Sequence, residues 1–374
     1  MFENYIAKTT QFKKNLLHRN INEYNSISPT EVLDKNGQKL ISFACNDYLG
    51  LSHHKALKNA AIAAIKKYGV GARASRFITG NNSLYNQLEA LIAEFYQTQD
   101  ALVFSSGYSC AIGVVQALVG KNDLIIADKL IHACLLDAAI LSQAKLIRFN
   151  HNDINHCRQI IAENRQNFQK CLIISETIFS MDGDVGKISE LLELALEFDG
   201  LLLSDDAHGI GFQAIPSERH LQMGTLSKAF GGLGGFVAGH QTLIDFLRQF
   251  ARSLKYSTAL MPAVLASSIA AIQIAQKSNL YHKSLANAEY FCKLLEIPKP
   301  QSAIVVIILK NNKLVVDVAK KLLQEGFLVG AIRPPSVPAN QARLRVTFSA
   351  AHKKSDIKKL VYALKKFLPK NEIF

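Results

Sequence analysis

The 374-residue sequence predicts an α/β protein, with a large domain built on a mostly parallel sheet and a smaller C-terminal α+β domain. Three observations carry that expectation. Short, almost continuously apolar runs alternate with stretches of helical periodicity, the pattern of strands covered on both faces by crossover helices. The length leaves room for two domains at about 150 residues each. Hydrophobic residues make up 49 % and charged residues 20 %, the balance of a globular chain and not of a disordered or collagen-like one.

Before Ile41 the chain shows little period, so residues 1–45 are set apart as an N-terminal arm. From His53 to Tyr68, Ala56, Leu57, Ala60, Ala61, Ala64, Ile65 and Tyr68 recur at helical spacing, and Gly69 supplies the stop. Strand runs follow at 101–104 (ALVF), 124–127 (LIIA), 145–149 (KLIRF), 171–175 (CLIIS) and 201–204 (LLLS), with helix candidates between them. Between Arg248 and Gln276 the pattern lengthens into helices, which places a boundary near Lys277 and gives a large domain over 46–276 and a small one over 277–374. Beyond it SAIVVIILK, VVDVAKKLLQEG, FLVGAI and RLRVTFSA alternate strand, helix and strand before a last basic helix. No internal repeat or low-complexity tract interrupts this order.

The net charge of +13 is compatible with nucleic acid, a membrane surface or an anionic substrate carrier. The lysines lack the aromatic interleaving of a nucleic-acid platform, and no apolar run reaches the ~18 residues of a membrane span. The N-terminus has no apolar segment with a small-residue cleavage site, so a cytoplasmic protein without membrane or nucleic-acid partners is expected. Six cysteines (Cys45, Cys110, Cys134, Cys157, Cys171, Cys292) are spread along the chain with no Cys-x-x-Cys pair, as for core residues in a reducing compartment, and no metal is expected.

In open α/β sheets ligands gather at the carboxyl ends of strands, so the residues just after each apolar run are the informative ones. Ser105-Ser106-Gly107-Tyr108 follows ALVF and leads into a helical pattern: an ordinary turn, or one whose free N–H groups hold a phosphate. His132 follows LIIA. Glu176 through Asp184 follow CLIIS, and Asp205-Asp206-Ala207-His208-Gly209 follow LLLS. Acidic strand ends suit N-caps, metals or cofactors alike, though the accompanying hydroxyl, glycine and histidine groups favour an organic phosphate. In Gly224-Thr225-Leu226-Ser227-Lys228-Ala229-Phe230-Gly231-Gly232 one lysine stands among small residues, which is what Schiff-base chemistry needs; the glycines match neither a P-loop nor a dinucleotide fingerprint.

This combination resembles the α-oxoamine synthases among the fold-type I pyridoxal 5′-phosphate enzymes. The segments that carry the resemblance are NDYLGL, GARASRFITG, FSSGYSCAIG, HACLLDA, ETIFSMDGD, DDAHGIG, GTLSKAFGG, KYSTALMP and IRPPSVP, in order over about four fifths of the chain. It implies a fold-type I transferase in which Lys228 forms the Schiff base with pyridoxal phosphate and Asp205 pairs with the pyridine nitrogen, making the ring an electron sink. By the same resemblance His132 stacks on the ring and helps position substrate, and His208 lies near the phenolic oxygen. Gly107 and Tyr108 offer N–H groups to the phosphate, and Ser180 and Thr225 offer hydroxyls. Ser257 and Thr258 match phosphate contacts lent by a second subunit, which implies a homodimer with shared active sites.

Within the family, Arg333-Pro334-Pro335-Ser336-Val337-Pro338 is similar to the branch that joins L-alanine to a pimeloyl thioester, carried by an acyl carrier protein or coenzyme A, in biotin synthesis. Ser336 stands where that branch has threonine. Arg345 matches the arginine that grips the amino-acid carboxylate, and Arg19, with His18 beside it, is placed as a second substrate arginine. Glycine C-acetyltransferase, 5-aminolevulinate synthase and autoinducer synthase share the Lys228 machinery, whereas a non-catalytic relative is expected to lack it. Two departures stand out: the stretch from Gly211 to Gly224 is short and lacks a GRG segment, and Lys277–Ser302 is trimmed. Both bear on how a thioester enters.

Overall fold

The computed structural model describes residues 2–15, 17–212 and 214–368. It contains two compact units. One comprises the described residues up to Gly50, Met181–Gly183 and the chain from His282 onward; the other comprises Leu51–Ser180 and Asp184–Tyr281.

The chain opens with α1 (Phe2–Lys14), which buries none of its side chains, and continues through strands β1 (Tyr24–Ser28), β2 (Glu31–Asp34) and β3 (Lys39–Phe43). The larger unit begins with α2 (Lys55–Tyr68), which Gly69 terminates at φ 82°, a conformation favoured by glycine. A π-helical turn (Arg76–Gly80) and α3 (Ser83–Phe95) follow. Then come β4 (Asp100–Phe104), α4 (Gly107–Leu118), β5 (Leu124–Asp128), α5 (Ala133–Ser142), β6 (Lys145–Phe149) and α6 (Ile154–Asn164). The alternation ends with β7 (Cys171–Glu176), α7 (Ile188–Glu197), β8 (Leu201–Asp205), β9 (His220–Thr225) and β10 (Gly235–Gly239). Helices α8 (Gln241–Phe250), α9 (Arg252–Lys255) and α10 (Pro262–Gln276) complete it.

These strands form a seven-stranded sheet in the order β4-β10-β9-β8-β7-β5-β6, parallel from β9 to β6, with β10 antiparallel to both neighbours. Successive residues of a strand point to opposite faces, and here both faces are covered. Ile125, Ala127, Leu172, Ile174 and Leu203 enter the core shared with α4, α5 and α8, while Leu124, Ile126, Cys171, Ile173 and Leu202 enter the core shared with α6 and α7. That double burial is why the runs read as continuously apolar. Strands β9 and β10 escaped the sequence reading because β9 mixes His220, Gln222 and Thr225 with its apolar residues and β10 holds only the short Phe236-Val237-Ala238 run between glycines, although every residue of both is buried.

In the other unit α11 (Leu280–Leu295), β11 (Ile304–Lys310), α12 (Asn312–Gln324), β12 (Phe327–Ile332), β13 (Ala342–Thr347) and α13 (Lys354–Phe367) join the N-terminal strands. The six-stranded sheet runs β1-β2-β3-β12-β13-β11, and β3 pairs parallel with β12 through Phe327–Ile41 to Val329–Phe43. The residues read as a separate arm over 1–45 thus share a sheet with those read as the domain 277–374, and the compact units meet at Gly50/Leu51 and Tyr281/His282. A parallel pairing between distant segments leaves no local sequence signal. No helix among the described residues is long and apolar enough to cross a membrane.

Candidate active site

A cavity of about 240 Å³ opens at the carboxyl ends of β4, β5, β7, β8 and β9 in the larger unit. The turn after β4 forms one wall. Ser106 Oγ accepts the Ser109 N–H and Ser109 Oγ accepts the Ser106 N–H, both at 3.0 Å, a capping box that starts α4. The first-turn N–H groups of Gly107 and Tyr108 have no acceptor within such a helix and stand at its positive end, on the cavity wall. The opening of β10 passes directly beneath: a Cβ on Gly235 would lie 2.4 Å from the Ser106 carbonyl oxygen, so only glycine fits there.

His132 is the N-cap of α5, and its Nδ1 accepts the Cys134 N–H at 3.2 Å, which leaves the ring proton on Nε2. Burial holds this imidazole below its ordinary value, Asp205 opposes that effect, and the Lys228 charge adds to it. Glu176 and Asp205 are register partners at the ends of β7 and β8, and both line the cavity. Burial raises Asp205 above the usual carboxylate range against the pull of Lys228, and its Oδ1 accepts the Ala207 N–H at 2.9 Å. Burial and neighbouring Asp205 raise Glu176 further; its carboxyl faces the backbone N–H groups of His132 and Ser180, while Oε1 is buried without a hydrogen-bond partner. Behind Asp205, buried Asp206 accepts the Tyr96 hydroxyl.

Lys228 Nζ lies 2.7 Å from His208 Nε2, both on the cavity wall. Thr225 ends β9 there, and its hydroxyl donates to the Gly234 carbonyl at 2.8 Å while accepting the Ser227 N–H at 3.2 Å. Gly107, Tyr108, His132, Asp205, His208, Thr225 and Lys228 are therefore brought together as one wall set. Glu176 joins them although the sequence singled it out only as a strand-end acid; its register with Asp205 was the available signal.

Other expected residues stand elsewhere. Ser180 is buried beside Glu176 and presents its backbone N–H to it, without lining the cavity. Ser257 and Thr258 follow α9, where Thr258 bridges Ser75; neither lines the cavity of its own chain. Arg19, Ser336 and Arg345 belong to the other unit. Arg19 Nη2 donates to Ser336 Oγ at 3.0 Å and to the Arg333 carbonyl at 3.1 Å, beside a cavity of about 500 Å³ lined by Tyr5, Phe12, His18, Arg19 and Pro335. Arg345, buried on β13, donates to Asn46 Oδ1 at 3.2 Å and to the Tyr48 hydroxyl at 3.3 Å.

Residues 38–364 match the family profile described as aminotransferase class I and II. Two proteins named 8-amino-7-oxononanoate synthase, from Beijerinckia indica and Methylocella silvestris, are each 44 % identical to the chain, over 89 % of it and 89 % of the first protein, and 88 % of it and 97 % of the second. Among solved structures, a serine palmitoyltransferase variant from S. paucimobilis with a bound PLP–myriocin aldimine superposes with a TM-score of 0.89 at 25 % identity, over 98 % of both chains. The 8-amino-7-oxononanoate synthase of Francisella tularensis superposes at 0.73 with 28 % identity, over 87 % of this chain and 97 % of that one. The two-sheet architecture is that of the fold-type I enzymes. The chain belongs to the class I and II aminotransferase family, within the 8-amino-7-oxononanoate synthases, and is an enzyme of the acyltransferase type.

Proposed function

We propose that the enzyme uses pyridoxal 5′-phosphate to condense L-alanine with a pimeloyl thioester. A bond forms between the alanine α-carbon and the thioester carbonyl carbon, the carrier thiol leaves, the alanine carboxylate departs as CO₂, and a proton takes its place to give 8-amino-7-oxononanoate. The observation that carries this reading is the placement of Lys228, Asp205 and the α4 N-terminus around one cavity in a chain 44 % identical to proteins of that name.

The cavity residues fit the cofactor by their chemistry. A helix N-terminus suits a phosphate, a buried carboxyl suits a ring N–H, an amine suits an aldehyde, and the partnerless Glu176 Oε1 marks polar space for a ligand atom. When bound, pyridoxal phosphate supplies an electron sink for the carbanion at the amino-acid α-carbon. Gly107 and Tyr108 donate their N–H groups to the phosphate, and the Thr225 hydroxyl, anchored on Gly234, stands beside them. Asp205 accepts the ring N–H from a buried position that water does not screen. His132, neutral and fixed by its cap bond, offers a flat face and an Nε2 proton to the substrate side. Lys228 Nζ and His208 Nε2 share a hydrogen bond, so the amine that removes the α-proton has a neighbour through which its charge is held, and it can later return a proton to the product. Arg345 holds the alanine carboxylate in a two-pronged contact, and Arg19 with Ser336 meets the acyl partner. Two copies pair so that Ser257 and Thr258 of each serve the phosphate of the other, in the cytoplasm.

The test is the visible absorption of the purified protein with added cofactor, followed by thiol release from pimeloyl, acetyl, succinyl and decanoyl thioesters with L-alanine, glycine or L-serine. Alanine with pimeloyl thioester is the expected productive pair. Lys228→Ala is expected to fold, to lose the absorption band and to lose at least about 10²–10⁴-fold in turnover, the general acid–base contribution alone. Wild-type turnover in that variant overturns the reading. The serine palmitoyltransferase likeness favours a second reading, a different amino acid and acyl pair on the same machinery, and the panel separates the two.

A further inference from the structure

Three side chains of the larger unit form a charged bridge that the reaction above leaves unused. His151 lies between β6 and α6; its Nδ1 donates to Asp128 Oδ1 at 3.0 Å and its Nε2 to Asp184 Oδ2 at 2.8 Å. A neutral imidazole donates from one nitrogen only, so a ring seated between two carboxylates is a two-donor cation. Burial opposes that charge, and the hydrogen bonds to Asp128 and Asp184 outweigh it, raising His151 to about 10. Asp128 at the end of β5 is completely buried, and the edge of the imidazole meets Phe179 with ring centroids 4.4 Å apart. Asn152 completes the knot, donating its N–H to Asp128 Oδ2 and its amide to Asp184 Oδ2 and the Val185 carbonyl. The charged groups facing His151 are thus Asp128 from β5 and Asp184 from the connection between β7 and α7.

Each of the two aspartates also holds a segment that reaches the cavity, Asp128 through its carboxylate and Asp184 through its backbone. Asp128 Oδ1 accepts the Leu130 N–H at 2.8 Å, two residues before His132. The Asp184 carbonyl accepts the Phe179 N–H at 3.0 Å, next to Ser180, and Val185 bridges Ile178. From the cavity side Glu176 faces the N–H groups of His132 and Ser180. The two segments are therefore tied together twice, by Glu176 inside and by His151 outside.

We propose that His151 is a positioning residue, a cationic cross-link between Asp128 and Asp184 that fixes the His132 and Ser180 segments at the separation the cofactor requires. The inference rests on the cofactor reading above. Its test is the dissociation constant for pyridoxal phosphate, from cofactor fluorescence, together with amide hydrogen exchange of the full chain with and without cofactor, for wild type, His151→Gln and Asp184→Asn. His151→Gln is expected to weaken cofactor binding at least tenfold and to speed exchange at 129–133 and 178–180 by a similar factor, with β7 and β8 still protected. The ratio of variant to wild-type dissociation constants is expected to return toward one as pH rises through about 10, where the wild-type cross-link loses its proton. Equal affinities and equal exchange overturn the proposal, as does a ratio that ignores pH. If His151→Gln fails to fold, Asp184→Asn at the more exposed end of the bridge carries the same comparison. If the wild type binds no pyridoxal phosphate the cofactor reading fails, and exchange in the unliganded chains still decides whether the bridge holds the two segments.

Discussion

The edge of the seven-stranded sheet is closed by an ion pair whose loss has a calculable cost. Arg76 meets Glu89 with both prongs, Nη1 to Oε1 at 2.6 Å and Nη2 to Oε2 at 3.0 Å, and its guanidinium lies 3.9 Å from the Tyr85 ring centre. The pair also takes both backbone groups of Val103 that face away from β10: Nη1 donates to the Val103 carbonyl at 3.0 Å, and Glu89 Oε1 accepts the Val103 N–H at 2.8 Å. With side-chain exposures of 11 % and 8 %, neither charge can turn to water, so Arg76→Met strands a carboxylate and should cost about 3–5 kcal/mol. Arg76→Met with Glu89→Leu removes both charges and leaves the two Val103 groups orphaned at ~1–3 kcal/mol each. At ~2–6 kcal/mol the double variant should cost about as much as the single one, and less than the sum of both singles. The chain contains no tryptophan, so urea unfolding is followed by circular dichroism, with amide exchange on β4 as the local readout. Val103 stands two residues before Ser105, so looser exchange should extend into the Ser105–Tyr108 turn. A loss below about 1 kcal/mol for Arg76→Met, or simple additivity, refutes the reasoning.

Two further outcomes follow from single side chains. Arg345→Lys keeps the charge and loses the planar two-donor contact, so KM for the amino acid should rise about 10–100-fold while cofactor affinity stays unchanged; a fall in kcat at constant KM contradicts the assigned contact. His352 is buried between the Ser42 carbonyl and the Ser349 N–H and stacks 4.2 Å from Phe43, and burial pushes it down to about 4. Its unfolded imidazole takes a proton near 6.5 that the folded one refuses, so the stability it contributes is complete above that value and lost as pH falls toward 4. The wild type should lose about 3 kcal/mol over that window relative to His352→Gln, and urea unfolding of both at pH 7 and pH 4.5 reads the difference. A pH-independent difference contradicts it.

What could be read in the letters and what could not divides along physical lines. Strands β4, β5, β7 and β8 were legible because burial on both faces demands near-continuous apolar runs, whereas β6, at the sheet edge, keeps Lys145 and Arg148 exposed. In β9 the buried His220 is satisfied by Ser204 Oγ and the Ile215 carbonyl, both at 2.7 Å, and such tertiary pairing lets polar residues occupy a central strand that no apolar run announces. The cavity was legible because its chemistry sits at strand ends: Asp205 and His132 follow recognisable apolar runs, and Lys228 stands out as the one lysine among small residues in Gly224–Gly232. Glu176 needed the register with Asp205, and the His151 bridge needed three segments brought together in space. The N-terminal strands were hidden because β3 finds its parallel partner, β12, only through the folded chain.

The reversed strand β10 also times the birth of the cavity. As the chain leaves the ribosome, β5, β6, β7 and β8 can pair in parallel as each is made, yet β4 has a sheet partner only in β10, from Phe104–Gly235 to Asp100–Gly239. The earliest strand of the sheet must therefore wait for its latest, a long loop closure that slows this step relative to the neighbouring pairings. Until it occurs the Ser105–Tyr108 turn has no strand at its back and Gly235 does not support it. A nascent chain thus completes the Ser106–Tyr108 wall of the cavity last, once translation has passed the final strand of the sheet.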